Sequence, residues 1–322
     1  MVFMAIAADA SAVSDFASEV VDWQGDFYAN DLYNDPCAML GKPAVRCRNA
    51  ATPFDPTPPF SFRVKLVEAA YYLSIDQQRV LTRIYAGEYI TVKFDHKVMD
   101  YPGNPYGRDF IVFGNAFLGV SGNTEEKISD SSDMNQRRLT NPAGIIEEQA
   151  QVIVRVSQDG YVWHTFSPDD PNTPKVDSLF PTQAYLWDSQ NAVWTDIEMD
   201  FTRPVDPNLS LNDFDGLTVA DAIDLYNGSG GGASFDLRDL PDFNDLPVDP
   251  QTGCRWIQYI RFEVIGDPYT DVEIDAVSDV SICGDPTHPY PPGDINRDCR
   301  VNLLDLMTLS ENWMVCTWNC GQ

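Results

Sequence analysis

The stretch AQVIVRVSQDGYVWHTF, residues 150–166, decides the fold class. Val152, Val154 and Val156 recur at every second position, the period at which a strand returns to one face. Asp159-Gly160 supplies a tight turn, and Tyr161 to Phe166 returns as a second strand, which predicts a β-hairpin. Neighbouring segments extend this pattern. EYITVKFDHKV, residues 88–98, puts Ile90, Val92, Phe94 and Val98 on one face and Thr91, Lys93 and Asp95 on the other. In RDFIVFGNAF, residues 108–117, four apolar residues from Phe110 to Phe113 run together, as in a strand covered on both faces. WIQYIRFEVIG and VEIDAVSDVSI add two more strands, with Ile260, Phe262, Val264, Val272, Ile274, Ala276 and Val280 facing inward.

Few segments have helical spacing. GLTVADAIDLYNGSGGG, residues 216–232, places Val219, Ala222, Ile223 and Tyr226 on one side, with Thr218 to cap its start and Gly228 its end. Residues 63–81 read as a second helix, with a strand as the alternative because their strand propensity is also high. Loops 119–142 and 167–181 are rich in Asp, Asn and Pro. Many strands, few helices and Gly/Pro-rich turns predict a mainly β domain over residues 14–283, a β-sandwich or jelly roll.

The charge balance narrows the partners. A net charge of -28 repels phosphate backbones, which argues against nucleic acid and favours cations, calcium above all. No apolar run is long enough to span a membrane. Seven cysteines occur without a C-x-x-C, alongside only three histidines, so zinc is a poor fit and disulfides in an oxidising compartment a better one. The opening MVFMAIAADASA is apolar and ends in small residues, like a signal-peptide remnant over residues 1–13, though it lacks a positive start. These features together predict export.

Near the end, GDPTHPYPPG, residues 284–293, holds four prolines and reads as a stiff linker. It leads into GDINRDCRVNLLDLMTLSENWM, residues 293–314. A twelve-residue calcium loop offers side-chain oxygens at positions 1, 3, 5, 9 and 12 and a carbonyl at 7. Here these are Asp294, Asn296, Asp298, Asn302 and Asp305, with the carbonyl of Arg300. Val301 is the apolar residue expected to tuck inward. A helix follows from Leu303, with Leu306, Met307 and Trp313 able to share its face. The segment resembles one repeat of a type I dockerin, which implies a Ca2+-binding module over residues 294–322 and a protein partner for the tail. It departs from that pattern at Cys299, where glycine is usual, in having one repeat instead of two, and in carrying Leu303 and Leu304 at positions 10 and 11. The calcium positions are untouched by these departures. The cohesin-recognition positions are not.

FASEVVDW, DPCAMLGKP, RDFIVFGNAF, VIVRVSQDGYVWHTF and GGASFDLRDL occur in order along residues 16–282 and resemble a set of bacterial secreted or cell-surface proteins without an established activity. VSQDGYVW is also similar to a hairpin of galactose-binding-like sandwiches. Catalytic motifs are missing: there is no G-x-S-x-G and no H-E-x-x-H, and the glycine-rich run 228–232 follows a helix, the reverse of a phosphate loop. His96 and His164 read as structural. Asp109, Asp236 and Asp275 border or interrupt apolar runs, which predicts a second metal site, the alternative being that they cap turns or meet Arg108, Arg238 or Arg261. Trp187, Trp194, Tyr185, Tyr101 and Tyr106 lie in polar, loop-like surroundings and are the expected ligand-stacking rings, whereas Trp163 and Trp256 read as core. The sequence therefore predicts a secreted or cell-surface, non-catalytic binding protein that meets polysaccharide or another surface component. The alternatives are a glycan-active hydrolase working through paired carboxylates and a structural matrix or assembly subunit.

Overall fold

The computed structural model describes residues 14–27, 34–43, 66, 81–121, 131–140, 151–268, 270–284, 288, 290, 292–297 and 301–311. The opening remnant and nearly all of the expected helix 63–81 lie outside these residues. Among the described residues there are eleven strands: β1 Glu19–Gln24, β2 Thr82–Tyr85, β3 Tyr89–Met99, β4 Phe110–Gly114, β5 Gln151–Ser157, β6 His164–Thr165, β7 Tyr185–Asp188, β8 Val193–Glu198, β9 Ala233–Phe235, β10 Trp256–Ile265 and β11 Asp271–Asp279. The helices are α1 Ser131–Gln136, α2 Leu211–Phe214, α3 Val219–Leu225 and α4 Leu303–Glu311. The protein is mainly β, as the alternating segments predicted.

The strands pair antiparallel into a five-stranded sheet, order β1-β3-β10-β5-β6, and a four-stranded sheet, order β2-β11-β4-β9. Alternation decides which side chains meet between them. Ile90, Val92, Phe94 and Val98 of β3, Ile260, Phe262 and Val264 of β10, and Val154 and Val156 of β5 share one core with Ile84, Phe110, Val112, Phe235, Val272 and Ile274 of the other sheet. Phe110 stacks on Phe235 with ring centres 4.8 Å apart. Two antiparallel sheets enclosing a common apolar core are consistent with a β-sandwich.

A third layer covers the four-stranded sheet. Ile111, Phe113 and Ala276 point away from the shared core and pack on Ala184, Tyr185 and Phe201. This is why the run Phe110 to Phe113 has no polar face: both of its faces are buried. The covering layer holds the β7–β8 hairpin and α3, whose Val219, Ala222 and Ile223 join Phe180, Phe214 and Tyr226 in a separate cluster. The Thr218 side chain accepts the Asp221 N–H, the cap the sequence predicted.

In two places the alternation expected from sequence breaks. The return strand of the 150–166 hairpin shortens to His164–Thr165, because the Asp159 Oδ1 atom accepts the N–H groups of Tyr161 and Val162 and holds them in the turn. In β11 the register shifts between Ile274 and Ala276, so Val277 joins the shared core while Ala276 turns to the third layer. Among the described residues, no helix is long and apolar enough to cross a membrane.

Candidate functional site

Three aspartates converge where strands of both sheets end. Asp100 follows β3 of the five-stranded sheet. Asp109 precedes β4 and Asp236 follows β9, both of the four-stranded sheet. Pairing of Phe110 with Phe235, together with the Asp109 N–H bond to the Phe235 carbonyl (2.7 Å), brings the last two side by side. One carboxylate oxygen from each of Asp100, Asp109 and Asp236 lies within 4.8 Å of the others. Asp109 is fully buried, while Asp100 and Asp236 keep partial access to solvent. Of the three residues that the sequence put forward for a second metal site, two meet here. Asp275 does not: it sits at the β11 register shift, opposite the far end of β4 from Asp109. Asp100 went unrecognised because an acid after a strand and before Tyr101-Pro102 looks like ordinary turn chemistry.

The hydrogen bonds of the cluster are uneven. Asp109 Oδ2 accepts the Leu237 N–H (2.8 Å), and its Oδ1 accepts from Asn104 Nδ2 (2.9 Å). Asp236 Oδ1 accepts the Arg238 N–H (2.8 Å), capping a short 3-10 helix over Leu237–Asp239. Arg238 Nε donates to Asp100 Oδ1 (3.0 Å), and Arg108 pairs with Asp239 (3.3 Å). The capping and arginine contacts weighed as the alternative are therefore also present. They do not neutralise the group. Asp100, Asp109, Asp236 and Asp239 are four carboxylates facing two guanidinium groups, which leaves two negative charges when all are ionised. Burial drives the Asp109 carboxyl well above its usual range, and the charges of Asp100 and Asp236 add to that against the Leu237 and Asn104 hydrogen bonds.

The tail loop is described in part. Asp305 is buried at 3% exposure, and its carboxylate gathers the loop by accepting the N–H groups of Ile295 (2.7 Å), Asn296 (3.2 Å) and Asn302 (2.8 Å). These bonds, Asn302 first, hold its pKa below the usual carboxylate range. Asn302 Oδ1 accepts the Leu304 N–H (2.7 Å) at the start of α4. Asp294, Asn296, Asn302 and Asp305 are among the described residues; Asp298 and Arg300 lie outside them. Val301 is 59% exposed and does not tuck inward. Cys283 is in a disulfide, and Cys254 is a buried thiol. At His288 the proline-rich segment touches the sandwich: its ring meets His96 edge-on at 5.7 Å and its Nε2 lies 2.6 Å from Asp15 Oδ1.

The expected division of aromatics is largely reversed. Tyr185 and Trp187 are buried at 6% and 5% exposure, because β7 lies against the four-stranded sheet and its neighbours, so they are not ligand platforms. Trp194 lies in β8, with its side chain outside the description. Tyr106 is 49% exposed with a φ of 57°, and it stands with Tyr101 in the loop beside the aspartate cluster. Trp163 and Trp256, expected in the core, lie partly exposed on the outer face of the five-stranded sheet. There the Arg261 guanidinium sits 4.3 Å from the Tyr89 ring centre and 4.5 Å from that of Trp163. Lys97 lies over Trp256 at 4.6 Å and Lys93 over Tyr259 at 5.6 Å. Ion pairs interleave these rings, with Arg261–Asp22 at 2.8 Å and Arg155–Glu263 at 2.6 Å. The signal was available in the alternation, since Tyr89 and Lys93 share the parity opposite to Ile90 and Val92.

The histidines are structural in their contacts. His96 bridges Asp95 (2.8 Å) and Asp279 (2.9 Å), and His164 meets Asp242 (2.8 Å). Asp177 is another buried carboxylate, with Oδ1 accepting from the N–H groups of Asn115 (2.6 Å) and Ala116 (2.7 Å) and Oδ2 from that of Glu273 (3.1 Å). Burial pushes its pKa up to about 7. Its backbone partners tie the 167–181 loop to β4 and β11, which is a fastening role. Compared with known protein families and with curated protein sequences, the chain matches none. Fold and sites together describe a mainly β protein with two acidic, oxygen-rich loci and an aromatic, ion-paired sheet face.

Proposed function

We propose that this is an exported, non-catalytic binding protein that takes polysaccharide on the outer face of its five-stranded sheet and carries a calcium-binding, dockerin-like tail. The finer fold reading is a galactose-binding-like jelly roll. The observation that carries the proposal is the row on that face: Tyr89, Arg261 and Trp163 stacked together, flanked by Lys93 over Tyr259 and Lys97 over Trp256. Aromatic rings offer apolar faces to the C–H side of a pyranose, and interleaved ion pairs offer donors and acceptors to its hydroxyls. The face is self-neutralised by Asp22, Glu263, Asp249 and Glu19, which favours neutral glycans over anionic ones. The tail reading is supported by the way Asp305 draws Ile295, Asn296 and Asn302 around one carboxylate. When bound, Ca2+ would be held by Asp294, Asn296, Asp298, Asn302, Asp305 and the Arg300 carbonyl, and would supply the charge that closes the loop.

Affinity electrophoresis against a panel of neutral polysaccharides tests this function. The wild-type chain is retarded by at least one glycan without releasing reducing sugar, and Trp163→Ala and Arg261→Ala lose the retardation while keeping the wild-type circular dichroism spectrum. Reducing-sugar release from a retarding glycan would replace the proposal with the hydrolase reading. Unchanged retardation in both variants would remove the sheet face from the account.

A further inference from the structure

We infer that Asp100, Asp109 and Asp236, with the amide oxygen of Asn104, form a second divalent-cation site, of calcium type, that clamps the two sheets together at one end. The site is independent of the tail loop and of the glycan face.

Placement is the first ground. Asp100 hangs from the end of a strand in one sheet, and Asp109 and Asp236 from strand ends in the other. An ion coordinated by all three links the sheets where no backbone ladder joins them. The loop from Tyr101 to Arg108 closes over this rim through Asn104 N–H to the Tyr101 carbonyl (3.0 Å) and Gly107 N–H to the Asn104 carbonyl (3.0 Å). Gly107 has a φ of +71°, and a Cβ on it would stand 3.4 Å from Asp236 Oδ2.

The second ground is Asn104. Asn104 is buried at 6% exposure, and its side chain is directed at the cluster by the bond from Nδ2 to Asp109 Oδ1. Nδ2 also reaches the Met99 carbonyl (3.2 Å). Its Oδ1, out of solvent, has no hydrogen-bond partner. A buried acceptor left without a donor costs free energy, and this one belongs to a side chain already bonded to Asp109, where a cation would supply the missing partner.

The third ground is charge. Three carboxylates within 4.8 Å of each other, one fully buried, repel unless one is protonated or a cation sits among them. Arg238 and Arg108 are taken up by Asp100 and Asp239. The donors are all oxygen, carboxylate and amide, which selects a hard cation over zinc or copper. The partial access at Asp100 and Asp236 leaves room for water to complete the shell.

Native mass spectrometry of the full-length chain, stripped with chelator and then titrated with calcium, tests the site. Wild type is expected to bind two calcium ions. The tail variant Asp305→Ala keeps one, Asp236→Asn keeps one, and the double variant keeps none. Asp109→Asn repeats the Asp236→Asn result, and a single cooperative melt in chelator shows that either variant is folded. One ion in wild type that survives Asp305→Ala but not Asp236→Asn would support this site and discard the tail reading. Full loss of calcium with Asp305→Ala alone, or unchanged stoichiometry in both cluster variants, would overturn the inference.

Discussion

Asp109 and Asp177 are both buried carboxylates held by backbone N–H groups, and both have raised pKa values. Their company differs. Asp177 spreads three backbone donors over its two oxygens and fastens a loop. Asp109 has one backbone donor and one amide, and faces two further carboxylates across a gap of ion size. Burial alone therefore does not mark a site. A buried acid whose neighbours are also acids does, because its hydrogen bonds leave charge unbalanced.

The largest expected effect breaks the fastened member of this pair. Asp177→Ala leaves the N–H groups of Asn115, Ala116 and Glu273 without their acceptor, and at ~1–3 kcal/mol for each buried unsatisfied group the loss is on the order of 4 kcal/mol. Chemical denaturation should show that loss equally with calcium and with chelator. The pH dependence of stability sharpens the same contrast. A carboxyl at about 7 when folded and near 3.8 when unfolded contributes stability that is fully present below the unfolded value and is lost as pH rises through the folded one. Stability should thus fall by roughly 3 kcal/mol between pH 4 and pH 7 from this group, with the slope removed in Asp177→Asn.

Asp109→Asn is expected to differ in depending on calcium. In chelator the repulsion it relieves is set against the donor, Leu237 N–H or Asn104 Nδ2, that then faces an amide NH2, and the net change is expected to stay within about 2 kcal/mol. In calcium at a hundred times its dissociation constant it forfeits an increment of ~2.7 kcal/mol that wild type gains. Thermal melts in the two buffers read the difference directly. The smallest effect is a control from the third layer, away from both acids: Thr218→Ala removes the α3 cap and should lower stability by about 1 kcal/mol in either buffer.

Much of the two-sheet core was legible because period two survives in β3, β5 and β10. The third layer was not. Tyr185 and Trp187 lie in a short hairpin whose surroundings in sequence are polar, and only the tertiary contact with the four-stranded sheet buries them. Within the cluster, Asp109 and Asp236 could be read because each adjoins an apolar run. Asp100 could not, since its role depends on where the next strand begins, and Asp275 misled because a register shift reorients its neighbours. The tail invites a reading from sequence that the cluster does not. Its proposed ligands fall in one twelve-residue window, whereas the cluster is assembled from three strand ends.

Anomalous difference diffraction from crystals grown with calcium tests the account most directly. It predicts a peak coordinated by Asp100, Asp109 and Asp236, with the Asn104 amide oxygen toward it, and a second peak within the loop that Asp305 closes. A well-ordered cluster that shows only water or the Arg238 guanidinium between its carboxylates, in crystals where calcium occupies the tail, would contradict it.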